Sequence, residues 1–348
     1  MKNILLSGLY LLCVMLSPAV AWADTLEEAI AQVKAKQLSS IVIRQHDVAL
    51  FEQYYNDTHP DDLHDVRSAS KSLTNLLYGI AVEQQLFTSQ NDKVLADFGE
   101  YRPQYFTSEK RKMTYFDLMS MTNPLECNDW NQYSAGNEER MYLRKDWVEF
   151  FLDLPVRGAP PWEKPFEQQP YGRGFSYCTA GVSITGAAIE RRSGMRLDEF
   201  ARKYLFSAMQ ISEVTWYKSP MGIIQAGGGL RIKPTDFIKF GQLLLNDGKW
   251  QGKQLLSRAW LAASVKAYSQ VSEKPKTDYG MLWWLVNFEV NGRTIRTIAA
   301  SGNGGNYLFA IPELNAAVVI TATAYGTPYM HKQARQLMTD AILPALLK

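Results

Sequence analysis

Apolar residues recur at helical spacing between Thr25 and Lys36 (Leu26, Ala29, Ile30, Val33). From Ser40 to Tyr55 they switch to the alternation of a strand pair folded at His46-Asp47. Helical spacing returns over Ser68 to Gln85, where Leu73, Leu76, Leu77, Ile80 and Ala81 share one side, and again over Tyr115 to Met121 and Ala180 to Arg192. Strand patterns then occupy Tyr279 to Val290, Arg293 to Ala300, Tyr307 to Ile311 and Ala316 to Thr323, before a closing helix from His331 to Leu347. Strands at both ends with helices between predict an α/β (α+β) fold, one sheet assembled from both chain ends with an inserted, mainly helical lobe. The expected lobes are about 24–70 with 275–348, and about 71–274. Two long stretches show neither periodicity, Asn123 to Asn137 and the proline-rich Val156 to Gly174. Loops of that length inside a compact domain are either functional or disordered. A cleft between the two lobes is where a small-molecule site is expected.

The first residues change this picture only at the N-terminus. Lys2, an apolar run from Ile4 to Val14 and Ala21-Trp22-Ala23 before Asp24 read as a signal peptide over 1–23, cleaved after Ala23. The run is too short to span a bilayer, and Leu12 before Cys13 does not suit a lipoprotein site. A soluble periplasmic or secreted protein without stable membrane insertion is therefore expected. A formal net charge of +2 over 348 residues supplies no basic field for nucleic acid. Of the three cysteines, Cys13 leaves with the signal. Cys127 and Cys178 then either pair, stabilising the fold by roughly 4 kcal/mol on a chain-entropy argument, or remain two buried thiols. The sequence alone supplies no Cα separation to decide between them.

Three constellations carry candidate chemistry. Ser68 and Lys71, three residues apart on a predicted helix, share a face, so a lysine amine freed of its proton by burial can take the serine proton. By itself Ser-x-x-Lys is expected about once by chance in such a chain, and its ordinary reading is a helix start. Tyr177, between a Pro/Gly-rich loop and a helix, can shuttle a proton or simply pack as a half-buried aromatic. Ser301-Gly302-Asn303-Gly304-Gly305-Asn306 lies between two strands, where an edge N–H such as that of Asn306 can serve as an oxyanion donor, or where the glycines merely turn a hairpin. His46, His59, His64 and His331 show no metal spacing, and neither a Gly-x-Ser-x-Gly elbow nor a phosphate loop occurs, so no metal or cofactor is expected. His59 and His64, among Asp61, Asp62 and Asp65, read as solvated. Trp130, Tyr133, Trp162, Tyr171, Trp283 and Trp284 are candidates for the cleft wall, although adjacent Trp283 and Trp284 cannot face the same side of a strand.

Together, Ser68-x-x-Lys71, Tyr177-x-Thr179 and Asn303-Gly304-Gly305 resemble, in order and approximate spacing, the three motifs of the class C β-lactamase-related serine hydrolases. That group includes D-alanyl-D-alanine carboxypeptidases and family VIII esterases, and is penicillin-binding-protein-like. Phe116 to Thr122, Gly227-Gly228-Gly229-Leu230 and Pro234-Thr235-Asp236 are also similar to family segments, so the likeness covers roughly Ser40 to Ala324. The resemblance implies a β-lactamase/transpeptidase-like fold with an antiparallel sheet, Ser68 as nucleophile, Lys71 and Tyr177 as general base and acid, and oxyanion donors at Ser68 and Asn306. Thr179, Asn303, Gly304 and Gly305 are then substrate-binding. Two departures stand out. The family has asparagine at the place of Thr179, and a carboxylate-binding cation in its third motif. Loss of that cation removes a contact worth about 1.5 to 3 kcal/mol. This shifts the expectation from β-lactams and D-alanyl peptides towards esters or amides without a free carboxylate, unless Arg173 or Arg231 replaces it. An exported esterase or amidase acting on a small ester, amide or peptide is thus expected. A D-alanyl peptidase or weak β-lactamase, and a non-catalytic binding or sensor protein using the same pocket, are the alternatives.

Overall fold

The computed structural model describes residues 18–158 and 174–348. Its strands, in chain order, are β1 (Leu38–Gln45), β2 (Val48–Tyr54), β3 (His64–Asp65), β4 (Val214–Trp216), β5 (Leu230–Ile232), β6 (Lys249–Trp250), β7 (Lys253–Gln254), β8 (Ser269–Glu273), β9 (Lys276–Tyr279), β10 (Trp284–Val290), β11 (Arg293–Gly302), β12 (Asn306–Ile311) and β13 (Ala316–Ala322). Eight of them form one sheet in the order β2-β1-β13-β12-β11-β10-β9-β8, and the paired neighbours all run antiparallel. The expected sheet from both chain ends is therefore present. Its seam is the β1–β13 pairing, which sets Ile41 opposite Ile320 and Ile43 opposite Val318.

Local chemistry explains the turns. His46 and Asp47 adopt φ of 49° and 62°, the left-handed pair that a tight two-residue hairpin requires. Asn291-Gly292 does the same between β10 and β11. The alternation of a strand divides the core into two faces. Ile41, Ile43, Val318 and Ile320 pack with Leu26 and Ile30 of helix α1 (Pro18–Val33) and with Leu337 and Ile342 near the C-terminus. Val42, Leu308 and Val319 face the opposite way, against Phe237 and Phe240 of a later helix (Pro234–Leu245) and the helical lobe. Because both faces are covered, β12 and β13 are buried along their whole length.

Several expectations need correction. The stretch Tyr279 to Val290 is two strands, not one. The chain turns a corner at Gly280–Trp283, where Leu282 has φ of 62° and a Cβ on Gly280 would meet the Ser264 carbonyl at 2.2 Å. Helix α1 begins upstream of Thr25 and runs through Ala23-Asp24, with the Trp22 indole donating to the Ala345 carbonyl at 3.1 Å. The apolar run Ile4 to Val14 lies outside the described residues, as do Trp162, Tyr171 and Arg173. His64 is buried on β3 rather than solvated, while His59 is exposed. Among the described residues no helix is long and apolar enough to cross a membrane.

Asn123 to Asn137 contains no regular strand or helix, yet it is held in place. Cys127 bonds Cys178 with a Cα separation of 5.3 Å, Ser176 donates to the Cys127 carbonyl at 2.6 Å, and the Asp129 amide donates to the Tyr177 carbonyl at 2.8 Å. The disulfide closes a loop of 51 residues. Replacing Cys127 and Cys178 together with serine is expected to lower stability by about 4 kcal/mol, read as a fall in the denaturant midpoint of unfolding.

Candidate active site

The chain approaches Ser68 from β3 through a backbone reversal at Arg67 (φ 51°), which Asp65 holds by accepting from the Arg67 amide at 3.0 Å. Ser68 then lies in a single 3-10 turn, Arg67–Ser70, and helix α2 (Lys71–Glu83) starts at the lysine. The sequence reading placed Ser68 on the α-helix itself. The tighter turn instead lifts its hydroxyl towards the cleft and leaves the apolar side of α2 to the core.

Lys71 is 1% exposed. Its Nζ donates to Ser68 Oγ at 2.8 Å and to the Gly227 carbonyl at 2.5 Å. Burial pulls the lysine below its ordinary pKa, with Glu138 and Asp129 acting in the opposite direction. Tyr177 sits just before helix α3 (Thr179–Ser193); its phenol hydrogen-bonds Ser68 and its ring lies 4.8 Å from Lys71 Nζ. Burial pushes that phenol well above the ordinary tyrosine range, and the Ser68 hydrogen bond only partly offsets it. Burial thus shifts the lysine towards its neutral amine and holds the phenol in its protonated form, both groups lying on the serine oxygen. Tyr177 joins Ser68 and Lys71 although it comes from a distant part of the chain.

The third segment meets the serine turn at Gly302, ahead of the Asn303-Gly304-Gly305 that the sequence reading took as its motif. Pairing of β10 with β11 ends at Trp284 opposite Ala299, so Ser301 and Gly302 form an open strand edge on that side. A Cβ on Gly302 would lie 2.1 Å from the Val66 carbonyl and 3.0 Å from the Ala69 nitrogen, so glycine is what lets β11 seat against the serine turn. Asn306, by contrast, pairs with Gly302 across β12 and is wholly buried, donating to the Asn303 carbonyl and accepting from Ala322 N–H. It does not line the cavity. Neither do Gly304 and Gly305, which turn the hairpin at φ of 91° and 90°. Asn303 lines the cavity, but its side-chain oxygen accepts from Gly326 N–H at 2.8 Å. Thr179 is buried; its N–H donates to Asp129 at 2.7 Å, and its methyl would lie 2.8 Å from a Cβ on Gly227, the residue whose carbonyl receives Lys71.

A cavity of about 380 Å³ opens at Ser68, within the range of small-molecule sites. Tyr177, Trp130 and Trp284 wall it, with Trp130 stacked on Tyr177 at 5.6 Å between ring centroids. Trp283 belongs to the core, and Tyr133 is 81% exposed and does not line the cavity. Arg231 is not at the site; its guanidinium donates to the Leu63 carbonyl. Five charged or titratable residues that the sequence reading did not single out for this site do line it: Asp129, Glu138, Tyr307, His331 and Arg335. Burial and the neighbouring Glu138 push Asp129 up to about 6, against the opposing pull of Lys71. Burial and Arg335 push His331 down to about 4, and its Nδ1 lies 2.8 Å from the Tyr307 hydroxyl.

The family described as beta-lactamase matches residues 23–342. The chain belongs to the beta-lactamase family. A 6-aminohexanoate-dimer hydrolase of Paenarthrobacter ureafaciens is 22% identical over 292 residues, 80% of this chain and 70% of the relative. Two solved structures share the fold. EstCE1, a hydrolase with promiscuous acyltransferase activity, aligns with a TM-score of 0.70 at 14% identity, covering 90% of this chain and 98% of that one. The octameric penicillin-binding protein homologue from Pyrococcus abyssi aligns with a TM-score of 0.66 at 18% identity, covering 92% and 77%. The chain is thus a beta-lactamase-family hydrolase that shares its fold with a hydrolase of acyltransferase activity and with a penicillin-binding protein homologue.

Gly302→Ala is expected to displace the serine turn and lower kcat/KM about a hundredfold while far-ultraviolet circular dichroism stays native. Ester turnover beside the dichroism spectrum checks this.

Proposed function

We propose that this protein is an exported serine hydrolase that cleaves an ester or amide through a Ser68 acyl-enzyme. The observation that carries the reading is the convergence of the Lys71 amine, 2.8 Å away, and the Tyr177 phenol on one serine oxygen at the mouth of a cavity. Ser68 Oγ bonds to the substrate carbonyl carbon as Lys71 takes its proton. The N–H of Ser68 and an N–H of the open β11 edge, at Ser301 to Asn303, hold the oxyanion. When the tetrahedral adduct collapses, the bond to the leaving oxygen or nitrogen breaks and Tyr177 supplies its proton, replenished from Lys71. Water, activated by the same pair, then attacks the acyl-enzyme and returns Ser68. The relative named for hydrolysing an amide dimer and the structural neighbour with acyltransferase activity support an acyl-enzyme open to both amides and esters. The buried Cys127–Cys178 bond supports an oxidising compartment, in keeping with the signal-like start of the sequence.

A fluorophosphonate probe is expected to add one label to the mature protein in intact-mass spectra. Ser68→Ala should abolish both the label and p-nitrophenyl ester turnover while the fold is kept. Turnover retained by pure Ser68→Ala protein would remove the serine from the scheme, and an unlabelled native protein would favour a binding role.

The pH profile supplies a separate check. Only the deprotonated amine accepts the serine proton, so kcat/KM rises as pH passes upward through the Lys71 pKa. Burial lowers that pKa, so the rise is expected to be complete below the free-lysine value of about 10.4. Glu138 holds the ammonium form in place, so Glu138→Gln should move the rising limb to lower pH. A limb that stays put, or moves to higher pH, would separate Glu138 from Lys71.

A further inference from the structure

Two polar side chains that the hydrolytic scheme leaves unused, Gln225 and Tyr142, stand one step behind Lys71 and do not line the cavity. Gln225 is 1% exposed. Its Oε1 accepts from the Gly227 amide at 2.7 Å and from the Ser183 hydroxyl of α3 at 3.0 Å, and its Nε2 donates to the Tyr142 hydroxyl at 2.9 Å. A backbone N–H can only donate, so the Gly227 amide itself dictates which way the Gln225 side chain is turned. Tyr142 in turn donates to Glu138 at 3.2 Å, one turn earlier on the short helix Glu138–Tyr142. Burial and Glu138 push the Tyr142 phenol well above the ordinary tyrosine range, so it stays a donor.

The bonds run in one direction. Lys71 Nζ donates to the Gly227 carbonyl, the Gly227 amide to Gln225, Gln225 to Tyr142, and Tyr142 to Glu138. The ammonium form of Lys71 opens this chain and a carboxylate closes it, and donors aligned in that way polarise one another in a low-dielectric interior. The step through Gly227 is positional: its carbonyl and its amide belong to adjoining peptide planes, so what sets one sets the other. Gly227 has no side chain to hold it, because a Cβ there would lie 2.8 Å from the Thr179 methyl and 2.9 Å from the Thr179 carbonyl oxygen. The loop that seats the lysine is therefore fixed from Gln225, two residues upstream, and braced by the Trp216 indole, which donates to the Gln225 and Gly228 carbonyls at 2.9 and 3.1 Å. Burying a glutamine costs desolvation that an apolar residue of similar size would avoid. What the amide supplies is a fixed Gly227.

We propose that Gln225 and Tyr142 are positioning residues for attack by Ser68: they hold the Gly227 carbonyl where Lys71 needs its acceptor, and they tie that acceptor to Glu138 in the cavity wall. This rests on the hydrolase reading and deepens it. The titratable groups that face Lys71 are Glu138 and Asp129 from the helical lobe and the Tyr177 phenol, and Asp129 is joined to Glu138 by accepting its amide at 2.9 Å. Loosening Gln225 or Tyr142 takes an aligned acceptor from the ammonium form. The lysine then gives up its proton more readily, so the rising limb of kcat/KM moves to lower pH. The amine, less well placed, works more slowly at the plateau.

The test follows p-nitrophenyl ester turnover by the full mature enzyme across pH, beside fluorophosphonate labelling and the denaturant midpoint. Gln225→Leu is expected to lower plateau kcat about tenfold or more, the scale of a slightly misplaced reacting group, with KM little changed and the rising limb at lower pH. Gln225→Glu keeps an acceptor for the Gly227 amide and should recover part of the lost kcat. Tyr142→Phe and Glu138→Gln each move the limb to lower pH, and because they cut the same chain the double variant should move it by less than the sum of the two. Native plateau kcat and an unmoved limb in Gln225→Leu, with only the denaturant midpoint lowered, make the residue structural and overturn the proposal. So do a Gln225→Glu enzyme no better than Gln225→Leu and limb shifts that add in the double variant. Should Gln225→Leu fail to fold, the cycle of Tyr142 and Glu138 decides alone. Each of these results leaves the hydrolase reading standing as long as fluorophosphonate labels Ser68 of the native enzyme. A native protein that is not labelled overturns that reading, and the positioning roles with it.

Discussion

A lysine with 1% of its surface exposed is the constraint around which this site is organised. An ammonium denied water is unstable, and the protein answers in three ways. It supplies acceptors in Ser68 and the Gly227 carbonyl, it places the Asp129 and Glu138 carboxylates near enough to act on the charge, and it leaves the amine easier to deprotonate than a free lysine. The last is what a serine nucleophile needs at ordinary pH. Other parts of the structure follow from keeping that amine in place: Gly227 has no room for a Cβ beside Thr179, and Gly302 has none beside the serine turn.

Tyr177 is fixed by an unusual amount of covalent and backbone detail for a residue that follows an irregular stretch. The disulfide lies at Cys178, directly after it, its carbonyl accepts from Asp129 N–H, and Thr179 holds the Asp129 carboxylate. Preorganisation of this kind keeps a phenol on the serine oxygen without rearrangement when substrate arrives.

Periodicity made the sheet legible because Ile41, Ile43, Val318 and Ile320 obey the alternation that a covered strand face requires. The His46-Asp47 turn was legible for the same kind of local reason. Ser68, Lys71 and Tyr177 were visible through spacing and the resemblance they carry. What escaped is instructive. The corner at Gly280–Trp283 depends on the approach of Ser264, a contact made by tertiary structure. The third segment was placed at Asn303-Gly304-Gly305 because glycines advertise turns. The residue that touches the serine turn is Gly302, and the signal for it is a single missing Cβ. Arg335 and His331, four apart on a predicted helix, carried a signal of shared face only, Asp129 lay in a stretch without periodicity, and Glu138 directly follows that stretch. Nothing local says which way such side chains point.

The pairing of β1 with β13 has a consequence for how the molecule comes into being. The first strand's inner neighbour lies near residue 320, so the β1–β2 hairpin has no sheet to join until nearly the whole chain exists. An isolated hairpin is marginal in water, and the seam closes one of the longest loops in the chain before it gains any contact. β11, on which the serine turn rests, is anchored through β12 to that same last strand. The seat of the serine turn is therefore completed only when the last strand is in place, and the growing chain carries Ser68 without its β11 support until the sheet is sealed.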